Sequence, residues 1–269
     1  IILPMLPHKN LIPDINLTPY SIWLATVVVS GISYLSYLLK RYVFHESGVL
    51  VSGIIGGLYS STATISVLAR KSRKASAQEA NEYVAAMLLA VSMMFLRFMI
   101  LILIFSREIF MSIYPYLLIM SVVAAVVAWF IHSRQRRSKD LPADSEEEDS
   151  SNPLEFKAAL IFATLFVVFT VLTHYTLVYA GTGGLNLLSF VSGLSDITPF
   201  ILNLLQNTGS VAVLVVVACS MQAIISNILV NMFYALFFAG KGSKLRPWIL
   251  GGFGTVIGVN LVLLLFFYL

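Results

Sequence analysis

Residues 56–64, Gly-Gly-Leu-Tyr-Ser-Ser-Thr-Ala-Thr, and residues 192–200, Ser-Gly-Leu-Ser-Asp-Ile-Thr-Pro-Phe, resemble each other closely enough to be copies of one segment. Each contains glycine and several hydroxyl-bearing residues that interrupt an otherwise apolar stretch, and each interruption is here called a break. In a membrane protein, breaks at corresponding positions of two halves are the best pointer in the sequence to a substrate site. The pair therefore suggests a duplicated chain with a site built around the two breaks.

The register of the two copies fixes which residues correspond. Gly57 matches Gly193, and Ser60 matches Asp196. The further matched pairs are Leu58 with Leu194 and Thr62 with Thr198. Because a hydroxyl in one copy stands where the other has a carboxylate, a site made by both copies would be asymmetric.

The composition is that of an all-α membrane protein. Hydrophobic residues make up 58% of the 269 residues and charged residues 11%, whereas soluble domains carry about 25% charged residues. The mean hydropathy is +0.89. The charges cluster between runs of about 20 apolar residues, the length that crosses a bilayer. These runs are residues 20–39, 47–69, 83–105, 112–132, 156–180, 185–205, 210–239 and 247–269.

A charged segment divides the chain into two halves. Residues 134–152 are first basic and then acidic, which is typical of a solvated linker. We therefore predict a first membrane repeat at residues 1–133, a cytoplasmic linker at 134–152 and a second membrane repeat at 153–269.

The positive-inside rule bears on the path of the chain through the membrane. If the runs 47–69 and 185–205 both re-enter without crossing, the Lys and Arg residues outside the membrane divide 14 to 2 between its sides, against 10 to 6 if both cross. If only the first crosses, the division is 13 to 3, so charge alone leaves that arrangement open. The similarity of the two runs favours the same path for both. We therefore expect both runs to be re-entrant, with the basic loops in the cytoplasm.

Three crossings and one re-entrant element in each half turn the second half upside down relative to the first. The expected fold is thus an inverted-topology repeat whose re-entrant elements meet near the midplane. Other matched positions support the repeat, at spacings of 132 to 136 residues. They are Pro19 with Pro153, Ser92 with Ser226, Arg97 with Asn231, and Pro115 with Pro247, the last pair being expected just before the final helix of each half.

Candidate ion-binding residues follow from this architecture. The half-helix after each break would direct its N–H groups at the midplane and favour an anion, whereas the unwound carbonyl groups before it would favour a cation. The alternative is two kinks that only help helices to pack. The candidates at the breaks are Gly57, Ser60, Ser61, Thr62, Gly193, Ser195, Asp196 and Thr198, with Asp196 as a candidate metal ligand.

Arg97 is the most costly residue to place in the membrane, at about 2.5–3.5 kcal/mol on insertion scales. Asp196 is the first partner to expect for it. Alternatively, Arg97 faces an aqueous vestibule and attracts an anion, or forms a static salt bridge that joins the halves.

Asn227 and Asn231 lie one helical turn apart and extend a polar stripe with Gln222 and Ser226. The stripe could line an ion pathway or hydrogen-bond to neighbouring helices. A lone polar residue such as Asn260 is better explained by an interhelical hydrogen bond than by ligand binding.

The sequence contains no metalloprotease, nucleotide-binding or hydrolase motif, and no basic and aromatic pattern typical of nucleic-acid binding. We expect neither an enzyme nor a cofactor. The expected partners are the lipid bilayer, a small inorganic ion and a second copy in a homodimer.

The chain resembles a bacterial and archaeal membrane domain of unknown function that commonly follows an MgtC/SapB-like membrane domain in one polypeptide. The resemblance extends from about Pro4 to the end. The segments that carry it are residues 52–64, 68–72, 152–159, 192–196 and 225–227.

The net charge of +4 and the basic loops are typical of a multi-pass protein of the inner membrane. The resemblance implies an MgtC-like domain upstream of a chain that here begins without methionine. It also implies an association with Mg²⁺. Asn231 stands where many relatives are expected to have lysine. From the residues alone the ion stays open: a cation, an anion held by Arg97 and the half-helix N-termini, or no ion at all in a regulatory or anchoring module.

Overall fold

A computed structural model describes residues 3–12, 15–43, 48–73, 75, 80–134, 156–206, 211–240, 243 and 245–268. Within these ranges the chain is helical, with no strand beyond an isolated bridge between Ile12 and Ile15. The α-helices are α1 (Pro19–Leu38), α2 (Val49–Lys71), α3 (Ala80–Phe105), α4 (Arg107–Ser133), α5 (Phe156–Ser192), α6 (Thr198–Gln206), α7 (Val213–Ala239) and α8 (Arg246–Tyr268). A short 3₁₀-helix (Leu3–Met5) precedes α1, and a π-helical turn (Leu39–Val43) follows it. The all-α prediction is confirmed.

Seven helices within the described residues are long and apolar enough to cross a membrane: α1 to α5, α7 and α8. The chain is therefore a multi-pass membrane protein. Two of the seven, α2 and α5, contain a residue with non-helical backbone angles. Length and composition alone do not decide whether those two cross.

The N-terminus of α1 forms where the sequence predicts the first half to begin. The Thr18 hydroxyl accepts a hydrogen bond from the Ser21 N–H, and the Ser21 hydroxyl donates to the Thr18 carbonyl group. Pro19 at the first helical position loses no hydrogen bond, because the N–H there has no partner within the helix. The corresponding start at residues 152–154 and almost all of the predicted linker lie outside the described residues.

The prediction that Pro115 precedes the last helix of the first half is wrong. Pro115 lies inside α4, which begins at Arg107. Ser106 starts the helix upstream: its hydroxyl accepts from the Ile109 N–H and its carbonyl group from the Phe110 N–H. One missing N–H is tolerated within a membrane helix, where neighbouring groups satisfy the freed carbonyl group. Pro247, in contrast, is the second residue of α8.

The chain forms two compact units. The first comprises Ile1–Gly31, Met99–Tyr114 and Ser151–Asn227, and the second comprises Ile32–Phe98, Pro115–Ser150 and Ile228–Leu269. These units group residues by contact, whereas the predicted division at residues 134–152 concerns repeats along the sequence. That division stays a prediction.

In the first unit, α6 packs against α5 through a buried amide. The Asn203 amide nitrogen donates to the Thr173 hydroxyl at 2.7 Å and to the Phe169 carbonyl oxygen at 3.2 Å. The rings of Phe169 and Phe200 meet edge to face, with centroids 5.7 Å apart. Because the contacts of Phe200 and Asn203 advance along α5 in chain order, α6 runs in the same direction as the part of α5 before residue 181.

Candidate functional site

The first break is at Ser60. Its φ of −158° and ψ of 108° are extended and interrupt α2 between residues 49–59, here called the first arm, and residues 61–71, the second arm. The Ser60 hydroxyl accepts a hydrogen bond from the Ala63 N–H at 3.3 Å. Ser60 therefore caps the N-terminus of the second arm, as a serine at a helix start is expected to do.

The chain folds back sharply at this break. A Cβ atom on Gly56 would lie 2.5 Å from the Thr64 hydroxyl oxygen. In a straight α-helix, residues eight positions apart are separated by about 12 Å along the axis. The two arms of α2 therefore form a hairpin, and Gly56 is where they approach most closely among the described glycines.

The first arm packs against α3 through small residues four positions apart. A Cβ on Gly53 would lie 2.9 Å from the Ala86 Cα, and one on Gly57 would lie 2.5 Å from the Ala90 Cα. Small residues at this spacing allow two helix backbones to come into contact. Because both pairs advance in the same chain direction, the first arm and α3 run parallel.

Arg97, on α3, hydrogen-bonds to the backbone at the first break. Its side chain is 9% exposed, and its Nη1 atom donates to the Tyr59 carbonyl oxygen at 2.8 Å. Tyr59 is the last residue before the break, so its carbonyl group belongs to the C-terminal end of the first arm. A cation at that end is favourable, since the last carbonyl groups of a helix carry partial negative charge. The proposed pairing of Arg97 with Asp196 stays a prediction.

The second break separates α5 from α6 at residues 193–197. The Asp196 carboxylate accepts a hydrogen bond from the Thr198 N–H at 3.0 Å, so it caps α6 much as Ser60 caps the second arm of α2. The Ser195 hydroxyl donates to the Ser192 carbonyl oxygen. Ser195 and Asp196 are exposed, whereas Thr198 is buried.

A second reversal precedes this break. Gly181 has φ +59° and ψ −152°, a conformation essentially reserved for glycine. A Cβ on Gly184 would lie 2.8 Å from the Thr176 methyl carbon, although the two residues are eight positions apart. Residues 182–192 therefore form a separate downstream arm that folds back at Gly181.

The downstream arm of α5 runs parallel to α7, as the first arm of α2 does to α3. The Cys219 thiol donates to the Asn186 amide oxygen at 3.4 Å. Seven residues further along the arm, a Cβ on Gly193 would lie 2.5 Å from the Ala223 carbonyl oxygen. The two contacts advance together along both segments.

Asn227, on α7, hydrogen-bonds to the backbone at the second break. Its amide nitrogen donates to the carbonyl oxygens of Gly193 and Ser195, at 3.3 and 3.4 Å. Its role thus corresponds to that of Arg97 at the first break. The charges differ: the first break combines a cationic donor with a neutral hydroxyl cap, and the second combines a neutral donor with a carboxylate cap.

The remaining candidates are less informative. Ser61 is buried, Thr62 is half-buried, and the Thr62 carbonyl group accepts a hydrogen bond from Ser66 within the helix. Asn231 is fully buried on α7. The interhelical role expected for Asn260 is confirmed, because the Tyr116 hydroxyl donates to its amide oxygen.

Several residues that shape the breaks were not singled out from the sequence. They are Gly53, Gly181, Asn186 and Asn203. The glycine cluster at residues 181–184 was the available signal for the reversal at Gly181. Nothing in an isolated asparagine distinguishes Asn203, whose role depends on what α6 packs against.

The described helices and the two breaks define an all-helical, multi-pass membrane protein with interrupted helices. The chain belongs to the family described as "Domain of unknown function (DUF4010)", which matches residues 27–239. It is also 26% identical over 220 residues to an uncharacterized protein of Aquifex aeolicus (strain VF5), which covers 81% of this chain and 94% of that protein. No solved structure matches the chain. The expected membership of a membrane-domain family of unknown function is confirmed, and the link to MgtC-like domains stays a prediction.

Proposed function

We propose that this protein is a transporter or channel for a small inorganic ion, with its site at the junction of two re-entrant segments near the bilayer midplane. The observation that carries the proposal is the reversal of the chain at Ser60, with the Tyr59 carbonyl group bonded to the buried Arg97. Interrupted helices whose ends carry polar groups into the membrane are typical of ion and substrate sites.

The parallel packing supports a re-entrant path for the first hairpin. If α2 crossed the membrane, the next helix would return antiparallel to it. The first arm instead runs parallel to α3, through Gly53 with Ala86 and Gly57 with Ala90. A hairpin that enters and leaves on one side accounts for this direction, because its second arm brings the chain back before α3 begins.

The same reasoning applies to the downstream arm of α5, which runs parallel to α7. Each half then has three crossing helices and one re-entrant hairpin, and an odd number of crossings inverts the second half. The division of basic residues, 14 to 2 outside the membrane, agrees with this path. Six helices would cross, and α2 and the segment from residue 182 to the end of α6 would not.

The charges at the breaks support ion handling over simple packing. A buried arginine within a membrane helix costs about 2.5–3.5 kcal/mol on insertion scales, so ionisable residues at such positions usually have a functional role. A cation is our first candidate for the ion, with Mg²⁺ included because of the resemblance to MgtC-associated domains. An anion is the second candidate, favoured by Arg97 at the first break.

Ion flux into proteoliposomes tests the proposal. Purified protein would be reconstituted and assayed with Mg²⁺, Na⁺, K⁺, H⁺ and Cl⁻. We expect flux of at least one ion, and we expect Ser60→Ala and Asp196→Asn to abolish it while the protein stays folded and inserted. Ser220→Ala is the matched control, because the Ser220 hydroxyl is buried and bonded within its own helix, to the Val216 carbonyl oxygen.

Normal flux in both site variants would exclude the proposed site. The absence of flux for every ion would favour a regulatory or anchoring module, whose partner would be an upstream MgtC-like domain or a second copy of the chain. Preferential loss of anion flux in Arg97→Gln would support the alternative in which the transported ion is an anion.

We also propose an inner-membrane location with the basic loops in the cytoplasm. Arg107 and Arg246 are both exposed, and the six-crossing path places them on opposite sides. Cys219 is the single cysteine of the chain, so Cys219→Ser gives a cysteine-free background. In that background, an impermeant thiol reagent should label Arg107→Cys from outside intact cells and Arg246→Cys only after lysis. Labelling of both from the same side would contradict this path.

A further inference from the structure

The Ser226 hydroxyl is an unusual group in the first compact unit. Its side chain is 1% exposed, and its Oγ atom has no hydrogen-bond partner among the residues that the structure describes. Ser220, six residues earlier on α7, is also fully buried but donates to the Val216 carbonyl oxygen at 2.8 Å. Because buried polar groups are nearly always hydrogen-bonded, an unsatisfied hydroxyl calls for a specific explanation.

The hydroxyl faces the backbone of the second break. A Cβ built on Gly193 would lie 2.4 Å from the Ser226 Cβ atom and 2.8 Å from its Oγ atom, so the Ser226 side chain packs against the first residue after α5. The carbonyl oxygens of Gly193 and Ser195 each accept one hydrogen bond from Asn227. A carbonyl oxygen has two lone pairs, so each can still bind a second donor or a cation.

Few N–H groups remain at the start of α6 to hold an anion. The Thr198 N–H donates to the Asp196 carboxylate, Pro199 has no N–H, and the Ile201 N–H donates to the Ile197 carbonyl oxygen. An anion would also be repelled by the Asp196 carboxylate. The second break is therefore rich in oxygen acceptors and poor in donors, which suits a cation.

The ligand types limit which cation fits. Among the described residues, no group of three or more His, Cys, Asp or Glu side chains could hold a metal ion. Transition metals prefer nitrogen and sulfur ligands, and Ca²⁺ sites combine six to eight oxygens that include several carboxylates. Mg²⁺ gives up its waters reluctantly, whereas direct ligation by one carboxylate with carbonyl and hydroxyl oxygens corresponds to the unwound-helix Na⁺ sites of secondary transporters.

We propose that Asp196, the Ser226 hydroxyl and the carbonyl oxygens of Gly193 and Ser195 form a binding site for a partly dehydrated monovalent cation, with Na⁺ as the probe. This inference rests on the proposed function, since the cation would be the transported or the coupling ion. It names the ligands that the second break contributes to that cation.

Thermal unfolding of the purified chain in detergent tests the site without requiring transport. Unfolding temperatures would be measured against NaCl, KCl, LiCl and MgCl₂, with choline chloride holding the ionic strength constant. A ligand that binds only the folded protein begins to raise the unfolding temperature near its Kd, and the rise then grows with the logarithm of the ligand concentration. We expect such a rise with NaCl, and an apparent Kd for Na⁺ about tenfold higher or more in Asp196→Asn and Ser226→Ala.

A control variant and two contrary outcomes make the proposed cation site falsifiable. Ser220→Ala should keep the wild-type response to Na⁺, because its hydroxyl is satisfied within α7. If Ser226→Ala fails to fold, Ser226→Cys keeps the size and replaces oxygen with a poor Na⁺ ligand. A wild-type protein that responds to no monovalent cation, or an Asp196→Asn variant with an unchanged Kd, would overturn the inference.

The binding result and the flux result can fail independently. A rise in unfolding temperature with Na⁺ that is weakened in Asp196→Asn and Ser226→Ala, without flux of any ion, would support the site and contradict the transport function. Flux of another ion without a Na⁺ response would retain the transport function and remove this site assignment.

Discussion

The guanidinium group of Arg97 donates a hydrogen bond to the backbone carbonyl oxygen of Tyr59, with the two atoms 2.8 Å apart. This contact joins the middle of α3 to the last residue before the first break. It shows how a buried cation can be accommodated in an apolar helix, because the end of the first arm provides partial negative charge. At the second break, Asn227 makes the corresponding contact with Gly193 and Ser195.

Replacement of Arg97 with leucine should destabilise the protein. The Tyr59 carbonyl oxygen would lose a charged donor, and an unsatisfied buried acceptor costs about 1–3 kcal/mol. We expect a loss of this size in the free energy of unfolding, measured by denaturant titration in mixed micelles. Arg107→Leu is the control, since Arg107 is exposed at the start of α4. Equal losses in both variants would show that the Tyr59 contact contributes nothing specific.

Gly57→Ala should destabilise the packing of the first arm on α3. The added methyl group would lie 2.5 Å from the Ala90 Cα and 2.7 Å from its carbonyl oxygen, and both are backbone atoms. Overpacking of this kind costs about 1–3 kcal/mol. Gly258→Ala in α8 has open space around the new methyl group, so the higher helix propensity of alanine should leave it as stable or slightly more stable. Similar unfolding curves for the two variants would contradict the close packing.

Gly181→Ala isolates the backbone requirement of the second reversal. No atom of the described residues lies within 4 Å of a Cβ at this position, so only the φ of +59° opposes the substitution. Such a conformation costs a residue other than glycine about 1–3 kcal/mol. Gly183→Ala is a close match, with equally open surroundings and no positive φ. The prediction is that only Gly181→Ala lowers the unfolding midpoint.

Ser60→Ala should remove the cap of the second arm of α2. Loss of a serine N-cap costs about 0.5–2 kcal/mol, which leaves the protein folded for flux measurements. Ser60→Asp should restore most of this stability, because a carboxylate also accepts the Ala63 N–H. The control is Ser66→Ala, whose hydroxyl bonds to the Thr62 carbonyl oxygen within a helical turn. A Ser60→Ala variant as stable as Ser66→Ala would show that the cap is dispensable.

Much of the secondary structure could be predicted from hydrophobic patterning. The runs 83–105 and 210–239 closely match α3 and α7, and the matched segments predicted a break near Ser60 and another near Asp196. The start of α4 was missed, because Pro115 was a stronger local signal than the cap at Ser106. A proline that costs one hydrogen bond can be absorbed within a long membrane helix.

The sequence by itself determined the class of protein, the positions of most of its helices and the two breaks, because apolar run length and glycine-rich interruptions act locally. Only the tertiary structure decided what each break contacts. The parallel packing of Gly57 on Ala90, the bond from Arg97 to Tyr59 and the bonds from Asn227 to the second break join residues more than 30 positions apart. Such contacts depend on the direction in which helices pack, and local patterning contains no information about that direction.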